Sequence, residues 1–390
     1  MEHKTRIKGN VHYVGVNDRN KHRFEGMWPL PYGVSYNSYL IDDEMVALVD
    51  TVDICYFEVY LRKIKQVFGE RPINYLIINH MEPDHSGSIR LIKQHYPEII
   101  IVGNKQTFGM IEGFYGVTGE QYLVKEGDFL ALGHHKLRFY MTPMVHWPET
   151  MMTFDETDGV LFSGDGFGCF GTVDGGFLDT RINVDKYWGE MVRYYSNIVG
   201  KYGSPVQKAL QKLGGLPISA ICSTHGPVWT ENIAKVIGIY DRLSRYDADE
   251  GVVIAYGSMY GNTEQMAEAI AEELSAQGVK NIVMHNVTKS HPSYIIADIF
   301  RYKGLIIGSP TYSNQIFPEV EALLSKILLR EVKGRYLGYF GSFTWAGAAV
   351  KRLAEFAEKS KFELVGDPVE MKQAMKDLTY TQCENLARAM

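Results

Sequence analysis

Cysteine is scarce and scattered in this chain. The 390 residues hold four, Cys55, Cys169, Cys222 and Cys383, with no CxxC pair among them. That pattern excludes a disulfide framework and argues against an iron–sulfur or rubredoxin-type centre held by this chain. No apolar stretch approaches the length of a membrane span, and the polar start Met-Glu-His-Lys-Thr-Arg is not that of a signal peptide. The expected compartment is the cytoplasm. Lys/Arg runs are absent and the formal net charge is -6, which speaks against a nucleic-acid partner. Neither the dinucleotide fingerprint G-x-G-x-x-G nor a P-loop ending Gly-Lys-Ser/Thr occurs. Low-complexity segments and clear internal repeats are missing too.

What is present is concentrated in Asn79-His80-Met81-Glu82-Pro83-Asp84-His85-Ser86-Gly87, where four potential metal ligands fall within six residues. The apolar run Tyr75-Leu76-Ile77-Ile78 before it predicts a short buried strand, so the ligands leave a strand end on a loop. A rigid sheet can aim side chains at a common point from such a position. Further candidates repeat the arrangement. His146 follows Phe139–Val145, Asp165 follows Gly159–Gly164, and His225 follows Ile218–Thr224, each beside Gly or Pro. A lone His-x-Glu is usually solvated, but four such loops in one chain point to a metal centre.

This ordered set resembles the metallo-β-lactamase fold, whose first metal loop reads His-x-His-x-Asp-His. Here Glu82 stands at the second His of that pattern. The resemblance implies that His80, Glu82, Asp84, His85, His146, Asp165 and His225 share two metals, with Asp165 as the bridge. Trading an imidazole for a carboxylate hardens the site, which favours iron over the zinc of hydrolytic relatives.

The chain is long enough for two or three domains. Short strands are expected at Val11–Val16, Ser35–Ile41 and Val46–Asp50, and a helix over Tyr56–Phe68, where Val59, Ile64 and Val67 recur near helical spacing. A helix from about 88 to 95 follows the metal loop. The pair His134-His135, beside Gly133, reads as a solvated turn. A helix ending near Ser244 and the charged stretch Arg245–Glu250 close the first half, so the domains are expected at 1–248 and 249–390.

The second half has a different grammar. Strands are expected at 252–256, 281–286, 305–308, 336–341 and 362–365, with helices near 264–277, 294–302, 319–329, 346–359 and 368–389. Five strands alternating with helices predict a doubly wound parallel sheet that binds its ligand at the carboxyl ends of the strands. The first such loop offers Ser258, Asn262 and Thr263 as neutral donors at a helix start, with no Lys or Arg. Backbone N–H groups at a helix N-terminus attract anions. Taken alone, the same loop could be an ordinary polar helix cap. Two later loops carry Tyr312 and Trp345 at strand ends, where aromatic rings can face a planar ligand.

Residues 251–390 resemble flavodoxin. The resemblance implies an FMN whose phosphate is held by Ser258, Met259, Tyr260, Gly261, Asn262 and Thr263. Its ring system would be flanked by Pro310, Thr311, Tyr312, Ser313 and Asn314 on one side and by Ser342, Phe343, Thr344, Trp345, Ala346 and Gly347 on the other. Over nearly its whole length the chain therefore resembles a flavodiiron protein. The expected fold class is α/β, an N-terminal αββα metallo-β-lactamase-like domain followed by a flavodoxin-like sheet. The resemblance implies an oxidoreductase with FMN and two non-haem iron ions, reducing dioxygen to water, nitric oxide to nitrous oxide, or both. It also implies a head-to-tail homodimer or dimer of dimers, and a separate rubredoxin or NADH-linked reductase as electron donor. Tyr195 matches a tyrosine the family places near the irons and is the catalytic candidate, although one of two adjacent helical tyrosines is more often core. Where the family often carries a histidine in the N-terminal loop, this chain reads Phe24-Glu25-Gly26. Two other classes stay open at this point: a dizinc hydrolase with an appended flavodoxin, and a flavin electron carrier or redox sensor whose first half only binds.

Overall fold

The structure, a computed structural model, describes residues 4–390; the first three residues of the polar start lie outside that range. The chain divides into two compact units. Met1–Tyr195 with Tyr202–Asp241 form one, and Ser196–Lys201 with Arg242–Met390 form the other.

Two large sheets, with two further two-stranded pairs, Val16–Asp18 with Val34–Tyr36 and Arg23–Phe24 with Trp28–Pro29, make the framework of the first unit. One has seven strands in the order Arg6–Lys8, Val11–Tyr13, Tyr39–Ile41, Ala47–Val49, Tyr75–Ile77, Ile100–Gly103 and Gln121–Leu123. The other has five, running in sequence from Phe129–Ala131 through Lys136–Met141, Met151–Asp155 and Val160–Gly164 to Ala220–Ser223. Their facing side chains share one core, in which Val11, Ile41, Val49, Ile77 and Val102 meet Leu137, Phe139, Val160, Phe162 and Cys222. Full burial of each large apolar side chain is worth about 1.5–3 kcal/mol, so the sandwich is a stiff support for the loops at its edge.

The Phe57–Phe68 helix buries Tyr60, Ile64 and Phe68, spaced i, i+4, i+8 on one face. Val59 and Val67, expected in that stripe, are only half-buried beside it. The metal loop is not wholly irregular. Pro83–Ser86 forms a helical turn that carries Asp84 and His85, and the next helix runs over Ile89–His95. Proline at the start of the turn supplies a preset φ and needs no hydrogen-bond partner there. His135 departs from expectation: it is buried, with Nδ1 2.9 Å from Asp155 Oδ2, whereas His134 is exposed.

The second unit is a parallel sheet in the order Ile282–Asn286, Asp249–Tyr256, Tyr302–Tyr312, Tyr336–Phe343 and Glu363–Leu364. Val369–Lys372 also pairs in parallel with Tyr336–Phe343. Those four residues fall inside the helix expected over 368–389, which instead spans Asp377–Ala389. Their burial alternates, with Val369 and Met371 inward and Glu370 and Lys372 outward, which is the strand period. The Asn262–Ala276 helix lays Met266, Ala267, Ile270, Ala271 and Leu274 on the sheet. All four cysteines are free. No helix among the described residues is long and apolar enough to cross a membrane.

Candidate functional site

Each loop that carries a candidate ligand is clamped by a buried polar residue. Asp50, on a left-handed turn (φ 53°) after the Ala47–Val49 strand, accepts from the backbone N–H of Asn79 at 2.8 Å and from its Nδ2 at 3.0 Å. Asn79 Oδ1 accepts from Thr153 Oγ1 at 2.8 Å, so the residue before His80 is tied to both sheets. The N–H and hydroxyl of Thr51 both donate to His85 O. Asn37 Nδ2 donates to Ser223 O and Gly226 O, which fixes the turn bearing His225. Asp165 and Thr224 leave neighbouring parallel strands, and the Thr224 hydroxyl donates to Asp165 Oδ1.

These clamps bring all seven predicted ligands together, Asp84 half-buried and the other six buried. Asp165 stands at the centre. Its Oδ2 lies 3.1 Å from His146 Nε2 and 3.7 Å from His80 Nε2, and Glu82 Oε2 completes that half at 3.1 Å from His146 and 3.7 Å from His80. Its Oδ1 lies 3.1 Å from His85 Nε2 and 3.5 Å from His225 Nε2, and Asp84 reaches His85 at 3.6 Å and His225 at 3.3 Å. The carboxylate therefore offers one oxygen to each of two ligand sets.

The donor set fits two divalent cations. Buried atoms without a hydrogen-bond partner among the described residues include His80 Nε2, both carboxylate oxygens of Asp84, His85 Nε2 and His225 Nε2. Leaving such groups bare is costly in a folded protein. The electrostatics agree. Burial alone would lower the histidine pKa values, but the surrounding carboxylates outweigh it: His80 and His146 are pushed up to about 10, His85 to about 9, and His225 is raised. Burial alone would likewise raise the carboxyls of Glu82 and Asp165, yet the histidines hold both below the usual carboxylate range. The cluster demands positive charge, and two divalent ions supply as much as four imidazolium groups.

Sequence reasoning missed several neighbours. Glu149 is fully buried with Oε1 2.6 Å from His80 Nδ1, and the Trp147 ring stands edge-on to His80 at 5.3 Å. Phe24, Tyr36 and Tyr194 surround His225 with ring centroids at 5.4, 6.1 and 5.8 Å. Of the two adjacent tyrosines, Tyr194 is the one whose ring is seen against His225. Tyr195 stands edge-on to Tyr240 at 5.1 Å instead. The Asp185–Tyr194 helix gives way to a π turn at Tyr195–Val199. Glu25 (φ 47°) accepts from Trp28 Nε1 at 2.8 Å; burial first, then the charge of Glu82, raises its pKa.

In the second unit a cavity of about 400 Å³ opens at the carboxyl ends of the strands. Ser258, Met259, Tyr260, Asn262 and Thr263 line it, together with 310–314, 342–346 and Gln373, a residue the sequence did not flag. Gly261 and Gly347 lie outside the lining. Gly261 takes the left-handed turn (φ 88°) before the Asn262–Ala276 helix and donates its N–H to Ser258 Oγ, while a side chain at 347 would strike Glu370. Thr263 Oγ1 and Ser342 Oγ are 2.9 Å apart. No lysine or arginine lines the cavity among the described residues, so an anion there meets hydroxyls and a helix N-terminus alone. Tyr260 is 90% and Trp345 82% exposed at its rim, which leaves their rings open to a flat ligand.

Comparison with known proteins agrees with both halves. Residues 34–226 match the ODP family beta lactamases and residues 254–385 match the flavodoxins. The anaerobic nitric oxide reductase flavorubredoxin of Vibrio vulnificus is 32% identical over 92% of this chain and 73% of its own length. The rubredoxin oxygen:oxidoreductase of Desulfovibrio gigas superposes with a TM-score of 0.94 at 31% identity, covering 99% of this chain and 97% of that one. The flavodiiron protein of Giardia intestinalis gives a TM-score of 0.91 at 27% identity, covering 97% and 93%. With one carboxylate shared between two ligand sets and a cation-free pocket on a flavodoxin sheet, this chain belongs to the flavodiiron proteins.

Proposed function

We propose that the seven-residue cluster holds two iron ions and that the chain reduces nitric oxide to nitrous oxide, dioxygen to water, or both, with electrons delivered through FMN. The observation that carries the reading is Asp165, whose two oxygens face separate ligand sets within 3.1–3.7 Å. A mixed carboxylate and imidazole set suits iron, and paired metal ions polarise a small substrate while FMN carries electrons singly or in pairs.

The protein's own part is geometric and electrostatic. His80, Glu82 and His146 would hold one ion, Asp84, His85 and His225 the other. Thr224 orients Asp165, and Ser35 O fixes the His225 ring through Nδ1 at 2.8 Å. Phe24 and Tyr36 pack against His225 and Trp147 packs against His80, so each half of the cluster has an aromatic wall. Tyr194 places a buried hydroxyl with no hydrogen-bond partner among the described residues beside the cluster. Burial above all, then the charges of Asp165 and Glu82, keeps that hydroxyl protonated at neutral pH. It is thus the side chain best suited to donate a hydrogen bond to a bound substrate.

In the second unit Ser258, Asn262 and Thr263 would hold the FMN phosphate, and Tyr312, Trp345 and Gln373 would border its rings. The name of the Desulfovibrio gigas relative points to rubredoxin as the donor. Four unpaired cysteines fit the reducing cytoplasm. A head-to-tail homodimer, bringing the FMN of one subunit to the irons of the other, completes the reading, and a fully active monomer in sedimentation would contradict it. The test of the whole is anaerobic: count iron, zinc and FMN per chain, then reduce the protein and follow nitric oxide and dioxygen separately at an electrode. Two irons, one FMN and rapid loss of either gas are expected. Two zincs with no gas consumption would overturn the proposal in favour of a hydrolase.

A further inference from the structure

Glu149 lies three residues after His146, yet its carboxylate serves a different ligand. Oε1 is 2.6 Å from His80 Nδ1 and also accepts the backbone N–H of Met81 at 2.9 Å. The backbone carbonyl of Glu149 is itself held by Asn104 Nδ2 at 2.6 Å, and the side chain is fully buried. An ionised carboxylate can only accept, so the 2.6 Å contact requires the proton of the neutral His80 ring to sit on Nδ1. The lone pair of Nε2 is then free on the side facing Glu82 and Asp165, each at 3.7 Å.

The histidines of the other half are held differently. His225 Nδ1 is set by a neutral backbone carbonyl, Ser35 O, at 2.8 Å. His85 Nδ1 is buried with no hydrogen-bond partner among the described residues. A carboxylate behind an imidazole fixes its tautomer and makes it a stronger electron donor than a carbonyl does, and removing such a partner costs roughly 10–100-fold in metal affinity. Among the described residues, Glu149 is the carboxylate that meets a ligand without facing the cluster interior.

We propose that Glu149 is a positioning residue that locks His80 in the Nδ1–H tautomer and makes the His80–Glu82–His146 half the tighter and more electron-rich of the two. This rests on the cluster holding iron. The experiment compares wild type with Glu149→Gln, which keeps the shape and an acceptor oxygen but removes the charge. Iron affinity is measured by chelator competition, and ⁵⁷Fe Mössbauer spectra are recorded on both proteins. The expected result is a loss of roughly 10–100-fold in affinity for one ion, with a change in one quadrupole doublet and the other ion unaffected. Unchanged affinities and spectra in a variant that binds two irons would overturn the inference. Wild type that binds no iron would instead overturn the proposed function. Should the variant fail to fold, ¹⁵N-histidine NMR of zinc-loaded wild type decides: a strongly downfield His80 Nδ1–H supports the inference, and an unprotonated Nδ1 refutes it.

Discussion

Replacing Asp165 with asparagine keeps the side chain's shape and removes the one charge that both ligand sets share. The wild-type carboxylate lies 3.1–3.7 Å from all four histidines of the cluster, two at each oxygen. Removing one partner from a buried charged pair costs roughly 3–5 kcal/mol, or about 10²–10⁴-fold in a binding constant. An amide also cannot present an anionic oxygen to each ion at once. The second ion should therefore be lost before the first. Titrating the metal-free protein with ferrous iron under argon, in competition with a chromophoric chelator, measures both steps. Far-ultraviolet circular dichroism of the metal-free variant separates lost binding from lost fold. If folded Asp165→Asn bound two ions within a few-fold of wild type, the bridging argument would be wrong.

Four further outcomes follow from the structure. Asp50→Ala should destabilise the first unit by about 2–6 kcal/mol, because two buried Asn79 donors lose their acceptor at about 1–3 kcal/mol each; urea denaturation of the metal-free protein checks this. Metal binding at pH 7 should release about three protons per pair of ions, measurable in a pH-stat, since His80, His85 and His146, raised to about 9 to 10, hold their protons when no metal is present. The same raised pKa values predict that the metal-free protein gains its histidine contribution in full below the ordinary value of 6.5 and loses it as pH rises through about 9 to 10. Trp345→Ala should weaken FMN binding about 2- to 12-fold, the worth of one aromatic pair, as read by flavin fluorescence on dilution.

Much of this site was legible because the sequence marks strand ends well. An apolar run broken by Gly or Pro and followed by His or Asp signals a loop that a sheet can aim, and His80, His146, Asp165 and His225 all obey it. The residues that hold those ligands are less legible, since their partners are distant in sequence. Glu149 reads as an ordinary loop acid until His80, 69 positions earlier, is placed against it. His135 reads as part of a solvated turn until Asp155, 20 positions later, accepts from its ring. Local irregularity hides the rest. Resemblance cannot decide between the adjacent Tyr194 and Tyr195, and Val369–Lys372 is too short an alternation to stand out beside a helix.

Anomalous diffraction from a crystal of the iron-loaded protein, collected on both sides of the iron edge, tests the central claim most directly. Two iron peaks are expected, one beside Asp165 Oδ2 with His80, Glu82 and His146, the other beside Oδ1 with Asp84, His85 and His225. A single peak, or a signal that appears only at the zinc edge, would contradict it.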